Sequence, residues 1–127
     1  MDKSAYQILV IDDDPDIGLM IKIVLEYKGY KVLVAERPDK AATHIREKLP
    51  DLIVMDMLLS GVDGTDICKQ LKQDPLTAPV PIIMISAHPN AKEICMEAGA
   101  DDFVLKPFDI QDLISKISWL LSSRQTK

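Results

Sequence analysis

A chain of 127 residues is one domain's worth of sequence, long enough to bury a real core, and its net charge is −5. The composition, 47% hydrophobic and 28% charged, is that of an ordinary globular protein, and the acidic balance without a dense Lys/Arg stripe argues against a nucleic-acid surface. No apolar run approaches the roughly 18 residues of a membrane span, and Met1-Asp2-Lys3-Ser4 leads into the first strand without a secretory core.

The pattern is strand then helix, five times. Residues 7–11 read as a first strand, with Asp14 as cap and Pro15 in the first turn of a helix whose inner positions are Ile17, Met20, Ile21, Val24 and Leu25; Gly29 stops it. Residues 31–35 form a second strand. Pro38 opens a helix with Ala41, Ala42, Ile45 and Leu49 inward, ended by Pro50. Residues 52–55 are the third strand, followed by a loop with Gly61 and Gly64, then a helix carrying Ile67, Cys68 and Leu71 that Asp74-Pro75 breaks. Residues 81–85 are the fourth strand and 91–98 a short helix stopped by Gly99. Residues 103–105 are the fifth strand, and Asp109 caps a last helix with Ile110, Leu113, Ile114, Ile117, Leu120 and Leu121 inward. The polar tail 122–127 is expected to fray, leaving a core from about 7 to 121.

Alternating βα units with short connections imply right-handed crossovers and a three-layer α/β sandwich; for five strands the flavodoxin-like order 2-1-3-4-5 is the natural expectation. Cys68 and Cys95 fit neither a CxxC motif nor a disulfide framework and read as buried or half-buried thiols in a reducing, cytoplasmic setting.

Function points to one edge of that sheet. The runs Ile8-Leu9-Val10-Ile11 and Leu52-Ile53-Val54-Met55 are continuously apolar, as in strands buried on both faces, and they end in Asp12-Asp13-Asp14 and Asp56. Parallel strands bring those carboxylates together with Ser86 after strand four and Lys106 after strand five. Clustered carboxylates repel one another and call for a cation or a raised pKa. Asp13 and Asp56 can hold a hard ion such as Mg²⁺, with Asp12 on a metal-bound water, while Lys106 and Ser86 can face a phosphoryl group. Pro107 makes a cis peptide after Lys106 accessible.

Residues 8–14, Asp56 with Gly61-Val62-Asp63-Gly64, Ser86-Ala87, and Ala98-Gly99-Ala100 before Lys106-Pro107-Phe108 together resemble a response-regulator receiver domain, from about residue 7 to 121. The resemblance implies that Asp56 is a phosphoacceptor served by a histidine kinase or histidine phosphotransfer protein. It implies an acidic pair, Asp12 and Asp13, for Mg²⁺, with the backbone carbonyl of Leu58 as a further ligand. Ser86 would be the switch hydroxyl, Phe103 the switch aromatic and Lys106 the partner of the phosphoryl oxygens. The output face would be helix four, strand five and helix five, carrying Lys92, Glu93, Glu97, Phe103 and residues near 111–115, with a phosphorylation-dependent homodimer among its uses. Such a domain is a switch that catalyses only its own phosphorylation and dephosphorylation, with no direct nucleic-acid or membrane contact. Its output partner or effector domain is unknown, and both a stand-alone protein and an excised domain stay open.

Three features depart from the family pattern. Ser60 stands where Pro is common, so that loop is expected to be more mobile. Leu58, two residues after the acceptor, cannot orient a water, so slow self-hydrolysis of the phosphoryl group is expected, with His88 as the other residue placed to influence it. The stretch from Ser86 to Ala98 is a residue or two short, so helix four is expected to start late or sit displaced.

Plainer readings stand beside these. Asp12 and Asp13 can cap a helix, and Asp14 reads as a cap only. Ser86 can cap helix four, Lys106 can be a surface lysine, and Phe103 reads equally as core or switch. His44 and His88 read as solvated, Tyr27 and Trp119 as packing residues, and Met55, Met57, Met84 and Met96 as core filler. Among rival functions, an aspartate-nucleophile phosphatase needs an acid where Leu58 stands. A flavodoxin-like nucleotide binder needs a phosphate loop where Asp12-Asp13-Asp14 would repel one. The alternative within the family is a non-phosphorylated binding or dimerisation module.

Overall fold

The computed structural model describes residues 6–59 and 61–125. In chain order the elements are β1 (Gln7–Ile11), α1 (Pro15–Tyr27), β2 (Lys31–Ala35), α2 (Pro38–Glu47) and β3 (Leu52–Asp56). A two-strand hairpin follows, β4 (Leu58–Leu59) and β5 (Val62–Asp63), then α3 (Gly64–Gln73), β6 (Ile82–Ser86), α4 (Ala91–Glu97), β7 (Asp102–Leu105) and α5 (Ile110–Gln125). Five strands form one parallel sheet in the order β2-β1-β3-β6-β7, which is 2-1-3-4-5 when only sheet strands are counted.

The continuous apolar runs work because a strand turns alternate residues to opposite faces. Leu9, Ile11, Ile53, Met55, Ile82 and Met84 join one core with Ala41 of α2, Cys68 of α3 and Cys95 of α4. Ile8, Val10, Leu52, Val54, Ile83 and Ile85 join the other with Ile21 and Leu25 of α1 and Leu113, Ile117 and Leu121 of α5. Both faces are therefore dry, and each fully buried Ile or Leu contributes about 1.5–3 kcal/mol over exposure. Both cysteines are free and buried, and burial pushes each thiol up to about 11, which leaves them inert packing groups at neutral pH.

Local signals set the helix ends. Asp14 Oδ1 accepts from the N–H groups of Asp16 (2.9 Å) and Ile17 (3.5 Å), and Pro15 begins α1. Asp63 accepts from Thr65 N–H (2.9 Å) to cap α3, and Asp109 accepts from Gln111 N–H (2.9 Å) before α5. Gly29 takes a φ of 103°, the left-handed turn that ends α1.

The amino edge of the sheet is closed by Lys72 of α3. Its ammonium donates to the carbonyls of Ala78 (3.1 Å) and Val80 (2.7 Å) and to Asp101 Oδ2 (2.9 Å). Asp101 Oδ2 also accepts from Ile82 N–H (2.8 Å), so the first residue of β6 is tied to the turn before β7.

Several expectations are corrected. The last helix runs on through Gln125, because no Gly or Pro interrupts it and Leu121 is still buried; residues 126 and 127 lie outside the described residues. Tyr27 is 87% exposed and Trp119 67%, so neither packs into the core. Each lies two residues beyond an inward position, Leu25 and Ile117, which is about 200° around a helix and therefore outside. Met20 and Met96 face solvent, and Leu49 lies beyond the end of α2 and is exposed. The hairpin after β3, expected only as a loop, is paired Leu58 to Asp63 and Leu59 to Val62. Among the described residues, no helix is long and apolar enough to cross a membrane.

Candidate functional site

The strand order reverses direction between β1 and β3, and the crevice at their carboxyl ends is where open α/β sheets build sites. Asp12 follows β1 directly, Asp56 is the last residue of β3, Ser86 the last of β6, and Lys106 follows β7. Ladder hydrogen bonds carry the register past the strand ends: Asp12 N–H donates to Ala35 O (3.1 Å), Met57 N–H to Ile85 O (2.8 Å) and Lys106 N–H to Ser86 O (2.8 Å). The functional side chains thus stand on the last fixed backbone of the sheet.

The three acids come together. Asp12, Asp13 and Asp56 each present a carboxylate oxygen within 4.8 Å of the others. Lys106 Nζ donates to Asp56 Oδ2 at 3.1 Å and lies 3.9 Å from Asp12 Oδ2. Asp12 is only 1% exposed. Its Oδ1 accepts from Asp14 N–H (2.9 Å), whereas Oδ2 is buried without a hydrogen bond. Burial raises the Asp12 pKa; the Asp14 N–H opposes this, and the neighbouring Asp56 and Asp13 charges add to it.

A buried carboxylate oxygen with an open valence, facing two further carboxylates, fits a hard divalent cation, which takes oxygen ligands and keeps several waters. Asp14, by contrast, serves as the α1 cap expected of it, although it also lines the cleft.

Ser86 is buried, and its Oγ accepts from His88 N–H (3.0 Å), which leaves its own proton to donate. His88 is exposed at the cleft, its Nδ1 accepting from Asn90 N–H (3.1 Å). Phe103 is buried in the core between β6 and α4, and its carbonyl accepts from Lys116 Nζ (2.8 Å), which also pairs with Asp102 and Asp112. Lys92, Phe103, Asp112 and Lys116 line one surface pocket. The Lys106–Pro107 peptide is cis. α4 is seven residues long, Ala91–Glu97, within the 91–98 read from the sequence. Ser60 lies outside the described residues.

Sequence reasoning placed Gly64 in the loop after Asp56 and in the motif that carries the resemblance, without a packing role. A Cβ there would come within 2.6 Å of the Asp56 carbonyl oxygen and 2.9 Å of that of Met57, and Gly64 N–H donates to Met57 O. Gly64 lets the amino end of α3 lie against the backbone that carries Asp56. Its signal was a glycine directly after a capping Asp. Also missed was an apolar wall, Leu58 and Ile94, beside the acids.

An acid at the switch point, two acids beside it, and a lysine and hydroxyl from the next two strands define a phosphoryl-accepting α/β signalling domain. The response regulator receiver domain model matches residues 8–118, and the chain belongs to that family, the switch module of two-component signalling. It is 38% identical over 119 residues to the DNA-binding response regulator MtrA of Mycolicibacterium smegmatis, covering 92% of this chain and 51% of that protein. It is 39% identical over 116 residues to the phosphate regulon transcriptional regulatory protein PhoB of Pseudomonas aeruginosa, covering 90% of this chain and 51% of that one. The chain thus spans about half the length of these curated relatives. Among solved structures, the receiver domain of a Francisella response regulator superposes with a TM-score of 0.85 at 31% identity, covering 96% of this chain and 99% of that one.

Proposed function

We propose that Asp56 is the phosphoacceptor and that Asp12, Asp13, Asp56 and the Leu58 carbonyl hold Mg²⁺ beside it. The observation that carries this reading is the Lys106–Asp56 contact at 3.1 Å within the three-acid cluster, next to the unbonded Asp12 Oδ2. The cation, when bound, neutralises charge on the acids and on the transferring phosphoryl group. Asp56 attacks phosphorus as the bond to the donor's imidazole nitrogen breaks. Lys106 is already placed to follow the phosphoryl oxygens, and Ser86 can donate its free proton to one of them.

That donation draws Ser86 and the 87–90 loop toward Asp56 and changes the space around Phe103, so that the α4–β7–α5 face reports the charge. Its output is an effector or a second copy of the chain paired only when phosphorylated. Nucleic-acid binding and membrane contact are not functions of this unit, which we read as one cytoplasmic domain. Leu58 leaves the attacking water unoriented, so the aspartyl phosphate is long-lived; decay of purified phosphoprotein within seconds would contradict this.

The histidine-bearing partner, a kinase or phosphotransfer protein, docks on α1. Besides its buried face, that helix carries exposed apolar side chains around the Lys22–Glu26 pair, an apolar surface awaiting cover. Ile21 and Leu25 are buried beneath it, yet Leu19, Ile23 and Tyr27 at i, i+4 and i+8 are exposed with Met20 beside them. Met20 joins Ile17 and Phe108 in a groove that reaches Lys106. Ile23→Glu should slow phosphotransfer from a cognate kinase and leave charging by phosphoramidate unchanged.

The direct test is incubation with Mg²⁺ and phosphoramidate or acetyl phosphate, read by intact mass. Wild type should gain one phosphoryl group. Its failure to do so, or an undiminished gain in Asp56→Asn, would sink the reading.

A further inference from the structure

The sheet has two outer strands, β2 and β7, and its ladder fixes which of their backbone groups look outward. Lys31 N–H donates to Tyr6 O and Ala35 O accepts from Asp12 N–H, so Val32 and Val34 face away from β1. Lys106 N–H donates to Ser86 O, so in β7 Phe103 and Leu105 face away from β6. An outward row of backbone groups is a template for a further strand. The run Val32-Leu33-Val34-Ala35 adds to the hazard, being apolar, largely β-branched and without charge.

In both outer strands the second residue is covered in the same way. Lys22 of α1 donates to Val32 O at 3.1 Å, and Lys116 of α5 donates to Phe103 O at 2.8 Å. Asp102 Oδ1 takes the outward Phe103 N–H at 2.8 Å as well. The two helices share one core, Ile21 and Leu25 of α1 with Leu113 and Ile117 of α5. Each lysine adjoins a buried isoleucine, Ile21 or Ile117, and so stands at the rim of its helix's buried face. From there the aliphatic stem reaches the strand while the side chain keeps 37% exposure at Lys22 and 28% at Lys116. Acids hold both ammonium groups: Glu26 at 3.1 Å from Lys22, and Asp112 at 3.5 Å and Asp102 at 3.6 Å from Lys116.

We propose that Lys22 and Lys116 are a pair of strand guards that keep a second copy of this chain from extending the sheet on either side. An incoming strand would offer its N–H to a carbonyl already taken, and displacing the lysine would strip water from an ammonium. Guarding both sides matters for a geometric reason. With β2 alone open, two copies pair β2 to β2 about a two-fold axis, and the assembly closes as a dimer; β7 alone behaves alike. With both open, β7 of one copy can meet β2 of the next, a head-to-tail contact that does not close and keeps growing. None of this depends on Asp56 as the phosphoacceptor.

The test is sedimentation velocity on the unphosphorylated, Mg²⁺-free full chain over a rising concentration series, with circular dichroism to follow folding. Both lysines are part-exposed helix positions where alanine preserves the helix, so the single variants fold. Wild type should stay monomeric. Lys22→Ala and Lys116→Ala should each double in mass with concentration and stop there, while the doubly substituted chain should grow past the dimer. Hydrogen exchange at the outward Val34 amide should slow as the Lys22→Ala dimer forms. Lys22→Arg and Lys116→Arg keep a charged donor and should remain monomeric. Glu26→Gln removes the ion pair but leaves the Lys22–Val32 contact, and it too should remain monomeric. Folded single variants that stay monomeric throughout the series would overturn the proposal. So would a Lys22→Ala dimer with unchanged exchange at Val34, since it would pair through another surface.

Discussion

Two lysine–aspartate pairs stand at opposite edges of the same sheet and do opposite things. At the amino edge Lys72 holds Asp101 at 2.9 Å, and both groups have further partners: two carbonyls for Lys72 and the Ile82 N–H for Asp101. At the carboxyl edge Lys106 holds Asp56 at 3.1 Å and faces Asp12 at 3.9 Å, and an Asp12 oxygen is left buried without a hydrogen bond. The first pair is saturated, and its energy is spent joining α3, β6 and β7. The second has one cation among three carboxylates, an arrangement that is incomplete until something binds. A buried polar group left open in a folded protein costs roughly 1–3 kcal/mol, and such a cost is expected where a ligand later removes it.

The contrast breaks most sharply on substitution of the two lysines. Lys106→Met should slow charging by phosphoramidate about 100-fold or more, as loss of a preorganised electrostatic partner does. It should also lower metal-free stability, since three carboxylates then share no cation, and Mg²⁺ should recover that loss. Lys72→Met should lower stability by about 2 kcal/mol through three lost acceptor contacts, with charging of the folded protein unaffected and no rescue by Mg²⁺. Rescue of Lys72→Met by Mg²⁺, seen in urea unfolding, would erase the distinction between the edges.

The same contrast explains what the sequence could reveal. Asp12, Asp13, Asp56, Ser86 and Lys106 were legible because each ends an apolar strand, and a parallel sheet has one carboxyl edge. The fold was legible for the same reason: apolar runs, caps at Asp14 and Asp109, and glycine stops are local signals. The amino-edge clamp was not, because Lys72 sits in a helix among polar residues and meets Asp101 only through tertiary packing. Nor were Tyr27 and Trp119, where aromatic character suggested packing and helical phase decided against it. Phase was available in the sequence; it was outweighed by residue type. Leu58 of the hairpin and Ile94 of α4 line the same cleft as the acids, a pairing of distant segments that no periodicity encodes.

A third substitution asks whether the incomplete edge costs stability. Asp12 has a raised pKa, chiefly from burial. Below the ordinary aspartate range the folded and unfolded chains both hold this proton. As pH rises, the unfolded chain releases it first, so metal-free stability falls from that range up through the raised Asp12 pKa and stays lower above it. Asp12→Asn removes the charge. It should therefore flatten this fall and make the metal-free protein more stable at neutral pH than wild type. Mg²⁺ at 100 times its Kd should stabilise wild type by about 2.7 kcal/mol and Asp12→Asn by much less. Thermal melts from pH 4 to 8, with and without Mg²⁺, read both effects; a wild-type stability that rises with pH across this window by as much as the variant's does would assign Asp12 no such role.

The smallest effect is expected where the saturated pair is altered most gently. In Asp101→Asn the side-chain oxygen can still accept from Ile82 N–H and from Lys72, so the geometry that joins β6 to β7 persists and only the charge is lost. Lys72 is mostly covered but Asp101 is partly open to water, with side-chain exposures of 17% and 37%, and solvent screening reduces what the charge contributes. The loss should be about 0.5–1 kcal/mol, well below that of Lys72→Met. Asp101→Ala removes the acceptor as well and leaves the Ile82 N–H at a part-buried strand end without it, so it should cost more than Asp101→Asn. If Asn and Ala lose the same amount in urea unfolding, charge rather than hydrogen bonding holds the amino edge, and the two lysine–aspartate pairs are more alike than their partners suggest.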